Sequence, residues 1–146
     1  MSPLTSSTAA HLDVPRTPSR IEAVGVVIPA RNQAGAIAQC IFSLFAANDY
    51  SGWRHSLWIV VVADACMDDT AKRARHAVGA FGEVLEIAAR SDRTAHRLGT
   101  SAVLEHFRRK PRHALLLAAA GADTPVRRDW IDASLQSPDS ASVWAA

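Results

Sequence analysis

An α/β fold, three layers deep with helices on both faces of a mostly parallel sheet, is what the sequence predicts, on two observations. Short β-branched runs alternate with segments whose apolar residues recur at helical spacing. That order of strand, helix, strand, helix, strand, helix, strand implies right-handed crossovers between parallel strands. The strand segments also carry almost no polar residues, the texture of a sheet covered on both faces. With 49% apolar and 21% charged residues over 146 positions, the chain has the balance and length of one folded domain.

The elements follow in order. Residues 1–22 are rich in Ser, Thr and Pro and lack a continuous apolar segment, so they read as a flexible tail rather than a secretory signal. The domain is expected over 23–136, with a second tail over 137–146. Val24 to Ile28 reads as the first strand, ended by Pro29, and Ala34 to Ala47 as a helix with Ile37, Ile41, Leu44 and Phe45 on one stripe and Asn32 as its N-cap. Leu57 to Val62 is the second strand. Asp68 to Val78 is the second helix, acidic where the dipole is positive and closed by Gly79. Glu83 to Ala88, Thr94 to Arg109 (stopped by Pro111), His113 to Ala119 and Asp129 to Leu135 complete the series.

Several function classes drop out. Sixteen basic against 14 acidic residues, a net charge of +2, gives no electrostatic case for a nucleic-acid partner. Cys40 and Cys66 make neither a disulfide framework nor a zinc spacing, which points to a reducing, cytoplasmic setting. The longest apolar runs, Leu57 to Ala63 and Ala114 to Ala122, fall short of the roughly twenty residues of a membrane-spanning helix. No P-loop, dinucleotide fingerprint or nucleophile elbow is present.

In an open parallel sheet, ligands bind beyond the carboxyl ends of the strands. That rule selects 29–32, 64–69, 89–92 and 121–124. Asp64, Asp68 and Asp123, with Arg31 and Arg90, suit a phosphorylated ligand with a divalent ion, because Mg²⁺ is shared between one or two carboxylates and substrate phosphates. Plainer roles compete: Asp123 and Asp64 as turn formers, Asp68 and Asp69 as helix caps, Arg31 as a solvated side chain, Cys66 as a packing substitute for Ser. Trp58 and Trp130 read as core anchors.

At these segments the sequence resembles the family 2 glycosyltransferases, which have a GT-A fold. The residues that carry the resemblance are Val26-Val27-Ile28-Pro29-Ala30-Arg31-Asn32, Val61-Val62-Ala63-Asp64-Ala65-Cys66-Met67-Asp68-Asp69-Thr70, and Gly121-Ala122-Asp123-Thr124 with Val126 and Asp129-Trp130-Ile131. The resemblance implies a nucleotide-diphosphate sugar as donor and transfer of its sugar to an acceptor. It places Pro29, Ala30 and Arg31 along the base and ribose, and Asp64 and Asp68 at the nucleoside end or the loop shaping it. His96 or Arg97 falls near the phosphates, and Asp123 is the second carboxylate of a D-x-D motif on Mg²⁺ or Mn²⁺.

The departures are specific. Gly121 stands where the first Asp of D-x-D is found, which weakens metal binding; Ala63, Gln33, Ser91 and Arg93 replace other motif residues. The resemblance covers the donor-binding portion only, so the expectation is a truncated fold without the acceptor half or its general base. Two outcomes follow: a donor-binding domain completed by self-association or by another chain, or a degenerate, non-catalytic module keeping fold, ligand binding or assembly. The expected location is cytoplasmic, including the periphery of a membrane.

Overall fold

The computed structural model describes residues 21–53, 55–109, 114–136 and 141–145. Strands β1 (Ala23–Ala30), β2 (Ser56–Asp64), β3 (Gly82–Ile87), β4 (Ala114–Ala119) and β5 (Ala141–Ala145) form one sheet in the order β3-β2-β1-β4-β5. The first four are parallel; β5 pairs antiparallel with β4. Helices α1 (Ile37–Tyr50), α2 (Thr70–Val78), α3 (Asp92–Arg108) and α4 (Trp130–Gln136) connect them. The expected three-layer α/β architecture is therefore present, and no described helix is long and apolar enough to cross a membrane.

The period-2 geometry of a strand explains the two cores. Val24, Val26 and Ile28 of β1, with Ile59 and Val61 of β2 and Leu116 of β4, pack against Ile37, Ile41 and Leu44 of α1, Ala74 of α2 and Ile131 of α4. The alternate residues Val27, Val60, Val62, Leu115 and Leu117 meet Ala95, Val103 and Phe107 of α3. Two glycines set how closely α3 approaches. A Cβ at Gly99 would lie 2.3 Å from Val27 Cγ1, and one at Gly25 would lie 2.2 Å from Val103 Cγ1, so each glycine receives the other element's valine.

Pro29 does not end the first strand, as the sequence suggested. The Val27 carbonyl accepts from the Ala120 N–H on the β4 side, so by strand alternation the Pro29 nitrogen also faces that side. The β4 pairing stops at Val27 opposite Ala119, and no ladder bond is lost to the missing N–H. On the other side β1 continues against β2 to Ala30.

Helix starts differ for local reasons. The first helix begins at Ile37, after a turn in which the Ala36 and Ile37 N–H groups donate to the Gln33 carbonyl. Asn32 is not its cap; the residue before the helix is Ala36 and no side chain caps it. The second helix begins at Thr70 because the Asp68 carboxylate accepts the Thr70 N–H ahead of it. The third starts earlier than expected, at Asp92, where Ser91 Oγ accepts the Thr94 N–H, an N-cap bond. Gly79 closes the second helix at φ 54° as its position suggested.

The C-terminal tail expected over 137–146 is corrected: residues 141–145 are β5, whose backbone pairs with the free edge of β4. Most of the N-terminal tail, the helix stop at Pro111 and the strand start at His113 lie outside the described residues.

Candidate functional site

The chain runs from β1 outward to β2 and β3, then returns past β1 to β4. Strand order therefore reverses between β1 and β4, and the crevice at their carboxyl ends is where such a sheet binds ligands. The residues leaving β1, β2 and β3 there share an unusual backbone. Asn32, Ala65 and Arg90 all have φ 53°, a left-handed conformation that non-glycine residues adopt only when their surroundings hold them to it.

Asp64, the last residue of β2, supplies much of that hold. Its side chain is 4% exposed. One carboxylate oxygen accepts the Arg90 N–H at 2.8 Å; the other accepts the Ser91 N–H at 2.8 Å and the Arg31 guanidinium at 3.3 Å. One carboxylate thus joins the ends of β1, β2 and β3. Arg31, 41% exposed, is oriented at the rim by this contact.

A second set of bonds fastens the loop after β1. Three consecutive N–H groups, those of Asn32, Gln33 and Ala34, donate to Cys66 Sγ (3.4 Å), Thr70 Oγ (2.8 Å) and an Asp68 carboxylate oxygen (3.1 Å). Cys66 in turn donates to the Ala30 carbonyl at 3.6 Å, and the Thr70 hydroxyl donates to Asp68. In the opposite direction, Asn32 Oδ1 accepts the Met67 N–H at 2.7 Å. Asp68 thus fastens the loop after β1 to the start of α2. Cys66, expected only as a packing substitute for Ser, takes part in hydrogen bonds through its Sγ.

Both carboxyls titrate low. At Asp64, burial pushes the value up, but the Arg90 and Ser91 N–H donors and the Arg31 guanidinium outweigh it. At Asp68 the Thr70 hydroxyl is the main cause of the lowering, opposed by burial and aided by the Ala34 N–H. A carboxyl depressed in the native state contributes stability above the ordinary aspartate range. That stability is lost as the pH falls through the lowered native value. Denaturant midpoints measured against pH are expected to fall below about pH 4, and the Asp64→Asn variant is expected to show a flatter slope there.

Asp123 stands apart from this network. It is exposed on the loop after β4, and its Oδ1 accepts the Thr124 hydroxyl at 3.2 Å. The loop is anchored to α1: the Val126 N–H donates to Ser43 Oγ at 2.9 Å, and Ser43 donates to the Cys40 carbonyl at 2.6 Å. Burial first, and then the Asp123 charge, push the Cys40 thiol up. Gly121 presents nothing toward Asp123, although a Cβ there would lie 3.2 Å from Asp123 Oδ1. Among the described residues no group of three His, Cys, Asp or Glu side chains could hold a metal ion.

The remaining expected residues separate. Pro29 is partly buried, and Ala30 is a core residue whose side chain faces α1. His96 and Arg97 are exposed near the start of α3. Among the described residues, no hydrogen bond or ion pair joins either of them to Asp64 or Asp123. Asn32 and Ser91 lay in the segments the sequence selected and Thr70 in a quoted motif, but none was given a role in the site. Asn32 carried a signal, since Asn tolerates the left-handed region better than other non-glycine residues.

These strand-end loops on a parallel sheet give a GT-A-like fold. The protein is similar to S. aureus TarS 1-349, at 13% identity and a TM-score of 0.58 over 78% of this chain and 31% of that one. It is also similar to S. aureus TarS at 14% identity and a TM-score of 0.58, over 78% of this chain and 19% of the other. A third likeness is to the mannosyltransferase PcManGT from Pyrobaculum calidifontis, in complex with GDP-Man and Mn²⁺. Its identity is 23% and its TM-score 0.53, over 89% of this chain and 38% of the other. At these identities the likeness is one of fold, and the chain spans well under half the length of each structure. No family model matches the chain, and no curated protein sequence matches it either.

Proposed function

We propose that this chain is a donor-binding domain of a family 2 glycosyltransferase, taking a nucleoside diphosphate sugar in the crevice at the ends of β1 and β4. The observation that carries the reading is the Asp64 junction. It links three strand ends near the switch point of the sheet, each followed by a residue in the left-handed region, and strain of this kind clusters at ligand sites. The fold supports the same reading, because one similar structure is a complex with GDP-Man and Mn²⁺.

In this proposal Pro29 and Arg31 flank the base and ribose, and Ala30 contributes backbone only. Asp64 and Asp68 act by shaping the loops. His96 and Arg97 are the candidate cations for the diphosphate. The chain's own residues make an incomplete metal site: Asp123 would supply one oxygen to Mg²⁺ or Mn²⁺, and Gly121 supplies none. An ion at Asp123 would depend on the diphosphate for its other ligands, so metal affinity without nucleotide is expected to be weak. The acceptor site and the general base are not assigned to any described residue.

Calorimetric titration with UDP, GDP and their sugar conjugates, in Mn²⁺ and again in EDTA, tests the reading. Metal-enhanced binding of one nucleotide series is the expected result. No binding to any of them by a sample with a cooperative unfolding transition would overturn it.

A further inference from the structure

The face formed by α1 and α2 carries a surface that the nucleotide site does not use. Phe42 and Phe45 on α1, Phe81 in the turn before β3 and Trp53 in the loop before β2 form a continuous ridge of rings. Their centroids are 6.4 Å (Phe42–Phe45), 5.6 Å (Phe45–Phe81) and 6.0 Å (Trp53–Phe81) apart. Three of them lie open to solvent, Phe42 at 52%, Trp53 at 49% and Phe81 at 44%. Exposed rings in contact with one another are unusual on a soluble surface and mark an interaction site. Trp53 and Phe81 precede the amino ends of β2 and β3, at the end of the sheet opposite the nucleotide crevice.

Basic side chains border this ridge. Along α2, Lys72, Arg73 and Arg75, together with His76 and the acid Asp69, line a groove of about 910 Å³ whose other wall includes Phe42. At Tyr50, the last residue of α1, the Arg128 guanidinium lies 5.7 Å from the centre of the exposed ring, beside Arg127. Glu86 is paired with Arg75 and Asp129 with Arg127, so Lys72, Arg73 and Arg128 set against Asp49 and Asp69 give the face a small positive excess. Apolar rings bordered by cations are the chemistry of a surface that enters the headgroup layer of an anionic bilayer.

We propose that the α1/α2 face docks peripherally on an anionic lipid surface. A second copy is the poorer occupant, because a two-fold contact would bring the same cation-flanked ridge against itself. Residues 1–20 suit it no better, since they carry Arg16 and Arg20 against the single acid Asp13.

Cosedimentation of the full chain with vesicles tests this independently of nucleotide binding. The protein is expected to pellet with phosphatidylglycerol-containing vesicles at about 0.1 M salt, to be released as salt screens the attraction, and to ignore pure phosphatidylcholine. The variant Lys72→Glu with Arg128→Glu is expected to lower partitioning roughly tenfold or more. Phe42→Ser with Trp53→Ser is expected to lower it at unchanged charge. Circular dichroism checks that each variant folds, and should one fail, the salt and lipid dependence of the unaltered chain decides. Absence of binding to anionic vesicles at low salt would overturn the proposal, as would equal binding to neutral ones or insensitivity to both folded variants. Should the ring variant instead turn an oligomer into a monomer in sedimentation velocity, with no vesicle binding at any stage, the ridge is a self-association surface and the proposal fails.

Discussion

Asp64→Ala is expected to reduce nucleotide affinity by about a hundredfold, the scale of loss when groups that position a ligand shift by an ångström. The substitution removes the acceptor for the Arg90 and Ser91 N–H groups and the anchor of Arg31. Arg90 then has no reason to stay at φ 53°, and the loop after β3 relaxes toward ordinary backbone. Asp64→Asn is a sharper probe. It keeps the shape and one oxygen but turns an amide NH₂ toward donors, so it should lose affinity by an intermediate amount. Arg31→Ala tests the ligand-facing end of the same contact and is expected to weaken binding while lowering the unfolding midpoint less than Asp64→Ala does, since the Arg90 and Ser91 N–H donors to Asp64 remain. Calorimetry with the preferred nucleotide, paired with thermal unfolding, reads all three. If Asp64→Ala binds nucleotide as the unaltered chain does, the junction has only a structural role.

The second large effect is a gain. Gly121→Asp is expected to tighten Mn²⁺-dependent nucleotide binding by roughly tenfold or more, since ligand charge count tunes the affinity of oxygen-ligated divalent ions. The backbone accepts the change, because Gly121 is not among the residues with positive φ. A Cβ there would lie 3.2 Å from Asp123 Oδ1, so the exposed Asp123 carboxylate must shift by a few tenths of an ångström to share an ion with the new side chain. The sign should reverse in EDTA, where two neighbouring carboxylates and a diphosphate repel one another. Asp123→Ala is expected to remove the metal dependence altogether. Metal dependence that persists unchanged in Asp123→Ala would move the metal away from this loop.

Much of the fold was legible because its signals are local. Apolar, β-branched runs bounded by Pro and Gly could only be covered strands, and helical spacing from Ile37 to Phe45 could only be an amphipathic helix. The strand ends then located the candidate site without further information. Two local rules misled. Pro29 looked like a strand terminator, yet the cost of a proline depends on which neighbour its nitrogen faces. Asn32 looked like an N-cap, yet its side chain is engaged by Met67, 35 residues along the chain.

Sequence by itself determined the parallel α/β architecture, the four polar strand-end segments and the departure at Gly121, because each is written in residue type and short-range period. The tertiary structure alone decided what those polar residues do. Asp64 and Asp68 could be read either as residues at the nucleoside end or as a turn former and a cap, and Cys66 as a packing substitute for Ser. Their partners, Arg31, Asn32, Ala34 and Arg90, lie 26 to 34 residues away, beyond the reach of any local pattern. The joining of α1 and α2 surfaces into one cation-flanked aromatic ridge arose the same way, since a hydrogen bond or ring contact across loops depends on the packing of the whole sheet.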